Sequence, residues 1–225
     1  MRGSAKQQAH SVCRPPDVCL LLRSASRHAL RRLPDLGYGT RSVPTPLAEA
    51  RSNMSSEEFK TRESSEETIP DTLGLLAWGR RFLPDHFSRP PSRMHEWLEA
   101  QLAEFRTERG RKLNVLGPRG SAKSTIASLA YILRAAVEKT EPYIWLVSDT
   151  IPQAQMHLDN IKAELTENEL LADHYPNACG EGRVWRAAII ILKNEVVIEA
   201  LSTGQRVRGR KHRHNRPTLI VADDL

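Results

Sequence analysis

Hydrophobic positions follow two rhythms along the chain, and the change between them falls near Leu113. Upstream, Met94, Leu98, Leu102 and Phe105 recur at spacings of four, four and three, which marks one apolar face of a helix. Ser92 stands ahead of that helix as its N-cap, and Pro84, Pro90 and Pro91 punctuate the loop before it. Downstream, short apolar runs alternate with helical periodicity. Leu113–Leu116 predicts a strand leading into Gly117, and 124–138 a helix that buries Ile126, Leu129, Ala130 and Leu133. Tyr143–Val147 is a continuous apolar strand of the kind found inside parallel sheets. Asp149 or Thr150 caps a helix carrying Ala154, Leu158, Ile161 and Leu165 on one side. Ala187–Leu192 and Val196–Leu201 flank Lys193-Asn194-Glu195 as a hairpin, and Thr218–Ala222 is a last apolar strand ending in Asp223 and Asp224. This alternation predicts an α/β fold around a largely parallel central sheet.

Composition divides the chain into regions. Residues 1–53 hold nine Lys or Arg against three Asp or Glu, which accounts for the whole formal charge of +6; the rest is balanced. Local clusters therefore carry any argument about nucleic acid. Residues 1–53 read as a disordered or non-native N-terminal extension, with Met54 as a natural start; the run Val18–Leu22 among basic neighbours is a faint targeting-peptide signal. Residues 54–79 read as a flexible linker rich in Ser, Glu and Thr, with order setting in near Leu73–Phe82 and the folded domain spanning 80–225. Cys13, Cys19 and Cys179 are too scattered for a disulfide framework or a zinc site and read as free thiols in a reducing cytoplasm. No run approaches the roughly 20 apolar residues of a membrane span.

The strongest chemical signal is Gly117-Pro118-Arg119-Gly120-Ser121-Ala122-Lys123-Ser124, followed by Thr125, between a predicted strand and a predicted helix. That setting suits a phosphate loop: backbone N–H groups and the helix N-terminus face anionic oxygens, Lys123 reaches the β and γ phosphates of ATP, and Ser124 supplies a Mg²⁺ ligand. Ala122 stands where such loops usually carry a second glycine, and its methyl is tolerated only at negative φ. Asp223, delivered at the end of an apolar strand, is the second candidate Mg²⁺ ligand. Arg119 either offsets charge on a transferring phosphoryl group or is a surface arginine that screens the phosphates. The tract from Gln205 to Arg216 holds six Arg or Lys and no acid. It suits DNA phosphates, an arginine sent into a neighbouring subunit's ATP site, or a solvated loop; without aromatic residues it does not suit base stacking.

Several segments together resemble the N-terminal ATPase of phage terminase large subunits. They are Phe82–Phe87, Pro91–His95, the Gly117–Ser124 loop in its Pro-Arg-Gly form, Ser148–Thr150 with Gln153-Ala154, Glu164–Asn168, Arg206–Gly209 and Arg216–Asp224. The resemblance runs from about residue 80 onward and implies a P-loop motor that hydrolyses ATP to drive double-stranded DNA into a procapsid. It implies a homo-oligomeric ring working with a portal protein and a small terminase subunit in the bacterial cytoplasm, and adenine recognition near Phe82–Phe87. It also implies a nuclease domain and an acid just after the Asp223 strand to polarise water. The sheet is expected to be incomplete at the C-terminus, leaving Asp224 as the candidate for that acid. A helicase core and a non-hydrolysing nucleotide-binding remnant stand as alternatives.

Overall fold

The computed structural model describes residues 18–24 and 73–225. Seven strands and five α-helices follow in the order β1 (Val18–Ser24), α1 (Leu75–Phe82), α2 (Arg93–Glu104), β2 (Arg111–Gly117), a π-helical segment (Thr125–Tyr131) continuing as α3 (Ile132–Val137), β3 (Tyr143–Ser148), α4 (Ile151–Glu167), α5 (Glu169–His174), β4 (Val184–Trp185), β5 (Ile189–Ile191), β6 (Val197–Ser202) and β7 (Leu219–Asp223). The strands form one sheet in the order β2-β1-β7-β3-β6-β5-β4. The five strands from β2 to β6 run parallel, and β5 and β4 add an antiparallel edge. The α/β class and the largely parallel sheet match the expectation, with Lys193-Asn194-Glu195 turning between β5 and β6.

Period-two alternation sends successive β3 side chains to opposite faces. Ile144 and Leu146 join the main core with Leu20, Leu22, Leu219, Val221, Ile198 and the helices. Tyr143 and Trp145 join Ile191, Val197 and Leu201 in a smaller cluster on the second face. The Ser92 cap forms as expected and is reciprocal: the Ser92 hydroxyl accepts from His95 N–H while the His95 ring accepts from Ser92 N–H. Thr150 occupies the N-cap position of α4, whose Ala154, Leu158, Ile161 and Leu165 are all buried.

Two regional boundaries need correction. Val18–Ser24, assigned to an unpacked extension, is a strand in the middle of the sheet, in parallel register with both β2 and β7. Its Leu20 and Leu22 are fully buried, so an apolar run that resembled a targeting signal is a core strand. The rest of 1–53 lies outside the described residues. Helix α1 begins at Leu75 and buries Trp78 completely, so the end of the 54–79 segment is not linker. The 124–138 helix forms, but its first turns widen to π geometry, a form often found beside functional sites. Cys19 and Cys179 are free thiols, and Cys13 lies outside the described residues. No helix among the described residues is long and apolar enough to cross a membrane.

Candidate nucleotide-binding site

Parallel strands place their C-terminal ends on one edge of the sheet, the edge where α/β proteins bind ligands. β2 arrives there at Gly117 and β7 at Asp223, with only β1 between them; Ser24 aligns with Gly117, and Leu22 with Asp223. The two motifs read from the sequence therefore meet on one edge. The strand that spaces them belongs to the N-terminal region expected to be a disordered or non-native extension.

The loop after Gly117 is tightly self-bonded. Lys123 is 6% exposed, and its ammonium donates to the carbonyls of Gly117 at 3.2 Å and Pro118 at 3.0 Å, and to Ser121 Oγ at 3.4 Å. Ser121 Oγ in turn donates to the Pro118 carbonyl at 2.8 Å. Gly117 sits where an added Cβ would meet Lys123 Cδ at 3.1 Å and Met94 Sδ at 3.5 Å, so a glycine is favoured by the close approach of both chains. Gly120 has open space around it, and its φ of 76° is what calls for glycine. Ala122 does not take the negative φ expected of it: it sits at φ 54°, in the left-handed region. The loop reverses direction between Gly120 and the helix, and that turn imposes positive φ at both positions whether or not the side chain suits it. Left-handed geometry costs a non-glycine residue about 1–2 kcal/mol. Arg119 is exposed, with no ion pair among the described residues. Ser124 and Thr125 are half-buried at the start of the helix.

Asp223 is held quite differently. It is 2% exposed, and its Oδ2 accepts a hydrogen bond from Ser128 Oγ at 2.8 Å and faces His157 Nε2 at 3.6 Å. Ser128 belongs to the π-helical segment and His157 to α4, so three elements converge on this carboxylate. Asp224 is exposed at φ 49°, and its backbone N–H donates to the Leu22 carbonyl at 3.2 Å, which ties the end of β7 to β1. Ser128 is a lone polar residue within an apolar helical run, and that interruption is its signal in the sequence; His157 stands among the polar residues of α4 and has no such signal.

Beside the loop lies a cavity of about 470 Å³, within the range of small-molecule sites. Arg80, His86, Phe87, Ser92 and His95 line one wall, and Gly120, Ser121, Ala122, Thr125 and Ile126 the other. Of the Phe82–Phe87 segment, Phe82 points elsewhere: it is buried against Trp78 and Tyr175. His86 sits at the rim and meets Glu164 at 3.1 Å. Magnesium commonly takes one or two protein ligands and completes its shell with phosphate and water oxygens. Among the described residues no group of three or more His, Cys, Asp or Glu is arranged to hold a metal. Ser124 and Asp223 as a sparse donor set are compatible with that phosphate-dependent mode and with no self-sufficient metal site.

The basic tract is divided by its structure. Arg210 pairs with Glu199, which also accepts from Tyr143; burial, followed by Glu199, pushes that phenol up to about 12, so it stays a neutral donor. Arg213 and Arg183 both reach Glu195 at 3.2 Å. These contacts anchor the loop, while Arg206, Arg208 and Lys211 are exposed and form no ion pair among the described residues. Neither a protein-family model, nor a curated protein, nor a solved structure matches this chain.

Proposed function

We propose that this chain binds ATP with Mg²⁺ at the edge formed by β2 and β7, as the ATPase part of a phage terminase-type DNA-packaging motor. The observation that carries the reading is the convergence of the Gly117–Ser124 loop and Asp223 on one sheet edge, beside a cavity of about 470 Å³. On this reading the loop N–H groups and the helix start hold the phosphates. Lys123 leaves the Gly117 and Pro118 carbonyls to reach the β and γ oxygens, exchanging neutral acceptors for charged ones that bind it more strongly. Mg²⁺ neutralises phosphate charge, and Ser124 and Asp223 are the residues that would hold it. Arg119, exposed on the loop, offsets developing charge; Asp224 is the carboxylate nearest in sequence that is exposed enough to orient water. The nucleoside would lie in the cavity against Phe87 and Arg80. Arg206, Arg208 and Lys211 are the cations available to DNA phosphates. Ring assembly with a portal protein and a small subunit follows from the resemblance alone.

A second reading, nucleotide binding without hydrolysis, draws support from Asp223, whose burial and engagement with Ser128 and His157 oppose metal entry. The test is calorimetric titration of the chain and its Lys123→Ala variant with ATP–Mg²⁺, followed by turnover with and without double-stranded DNA. Binding lost in the variant is expected, and equal affinity in both would reject the phosphate-loop assignment. Binding without DNA-stimulated turnover would favour the second reading over the motor.

A further inference from the structure

We propose that His95 is a positioning residue of the phosphate loop, locking the Ser121–Ala122 peptide to the first turn of α2. This rests on the phosphate-loop reading and adds to it a residue from outside the loop. His95 occupies the third helical position after the Ser92 cap, and Ser92 N–H donates to its Nδ1 at 3.3 Å. Accepting at Nδ1 leaves the proton of the neutral ring on Nε2. That nitrogen lies 2.9 Å from the Ser121 carbonyl, so it is the donor there. The ring is thus bonded at both ends, once to its own helix and once to the loop.

The consequence follows from peptide geometry. In a planar trans peptide the C=O and the following N–H point in opposite directions. Fixing the Ser121 carbonyl towards α2 therefore fixes the Ala122 N–H away from it, and Ala122 is the residue held at φ 54°. One imidazole sets the direction of a loop donor and helps hold a backbone conformation that alanine disfavours. A second contact points the same way: Met94, the preceding residue of α2, lies against Gly117 at the other end of the loop. His95 also lines the cavity, so the wall expected to receive the nucleoside and the loop expected to receive the phosphates share one rigid link.

Stabilising α2 alone, as part of its cap, is the competing role, and it can be separated. ATP and inorganic triphosphate are titrated by calorimetry into the chain and into His95→Ala, His95→Gln and Leu102→Ala, with thermal denaturation run on each. His95→Ala is expected to weaken both ligands by about threefold to tenfold, the equivalent of one neutral hydrogen bond. Gln, whose amide keeps a donor of similar reach, should restore most of that affinity. Leu102→Ala weakens the packing of α2 at a buried position outside the cavity and leaves the imidazole, so it should bind as the parent does even where its Tm falls. If the alanine variant does not fold, His95→Phe keeps the ring volume, loses both nitrogens and carries the same expectation. Parent-like affinity without the imidazole would overturn the proposal, as would equal losses in Leu102→Ala and His95→Ala. A parent chain that binds neither ligand would instead reject the phosphate-loop reading beneath it.

Discussion

The two halves of the candidate site are built by opposite means. The loop half is local: Lys123, Ser121, Pro118 and Gly117 bond to one another within six residues, mostly through backbone carbonyls. The Asp223 half is assembled over distance, since Ser128 lies 95 residues away and His157 comes from a third element. A local loop can rearrange around a ligand at the cost of a few bonds that the ligand replaces. A carboxylate buried among side chains from three elements is fixed by the whole fold, and its geometry changes only if those elements move. The loop half is therefore the adaptable partner and the Asp223 half the fixed one. Strand β1 joins them.

The sharpest way to break that arrangement is to remove the strand between the halves. Leu20→Asp places a carboxylate at a fully buried position with no partner provided for it. A loss of about 3 kcal/mol or more is expected, read as a lower midpoint in urea denaturation. An unchanged midpoint would mean that β1 does not join the two halves. The next effect falls on the fixed half. Ser128→Ala withdraws the buried donor from Asp223 and should cost about 1–3 kcal/mol, because the carboxylate loses its partner without gaining solvent. If stability held, Asp223 would be less dependent on that bond than the comparison requires. The smallest effect is on the adaptable half and has the opposite sign. Ala122→Gly relieves the left-handed strain and should stabilise the chain by about 1 kcal/mol, visible as a raised Tm. A lowered Tm would show that the loop is not strained there.

How much of this was legible in the sequence follows the same division. Local patterns reported faithfully: the Ser92 cap, the four-three-four stripe of α4, the hairpin around Lys193–Glu195, and a strand–loop–helix at Gly117 were each readable because neighbouring residues determine them. The sheet partner of Val18–Ser24 was not, because composition around that run argued for an extension and nothing local announces a strand's neighbours. Ala122 failed for a related reason. Its own preference is for negative φ, and the closure of the loop between two fixed elements overrides it. Ser128 interrupts an apolar run, but neither its role nor that of His157 can be read locally, because their shared target is distant in the chain. Half of the site is written in a contiguous motif; the other half exists only once the sheet has formed.

On the proposed function, Gly117–Ser124 and Asp223 serve one Mg²⁺–nucleotide complex. The direct measurement is ATP affinity with Mg²⁺ and with excess EDTA, for the parent chain and for Asp223→Asn, which keeps the side-chain shape and removes the charge. Mg²⁺ should tighten ATP binding in the parent and give little or no tightening in the variant, while the metal-free affinities stay close. Equal loss of affinity with and without Mg²⁺ would contradict that shared role and make Asp223 a residue of the fold alone.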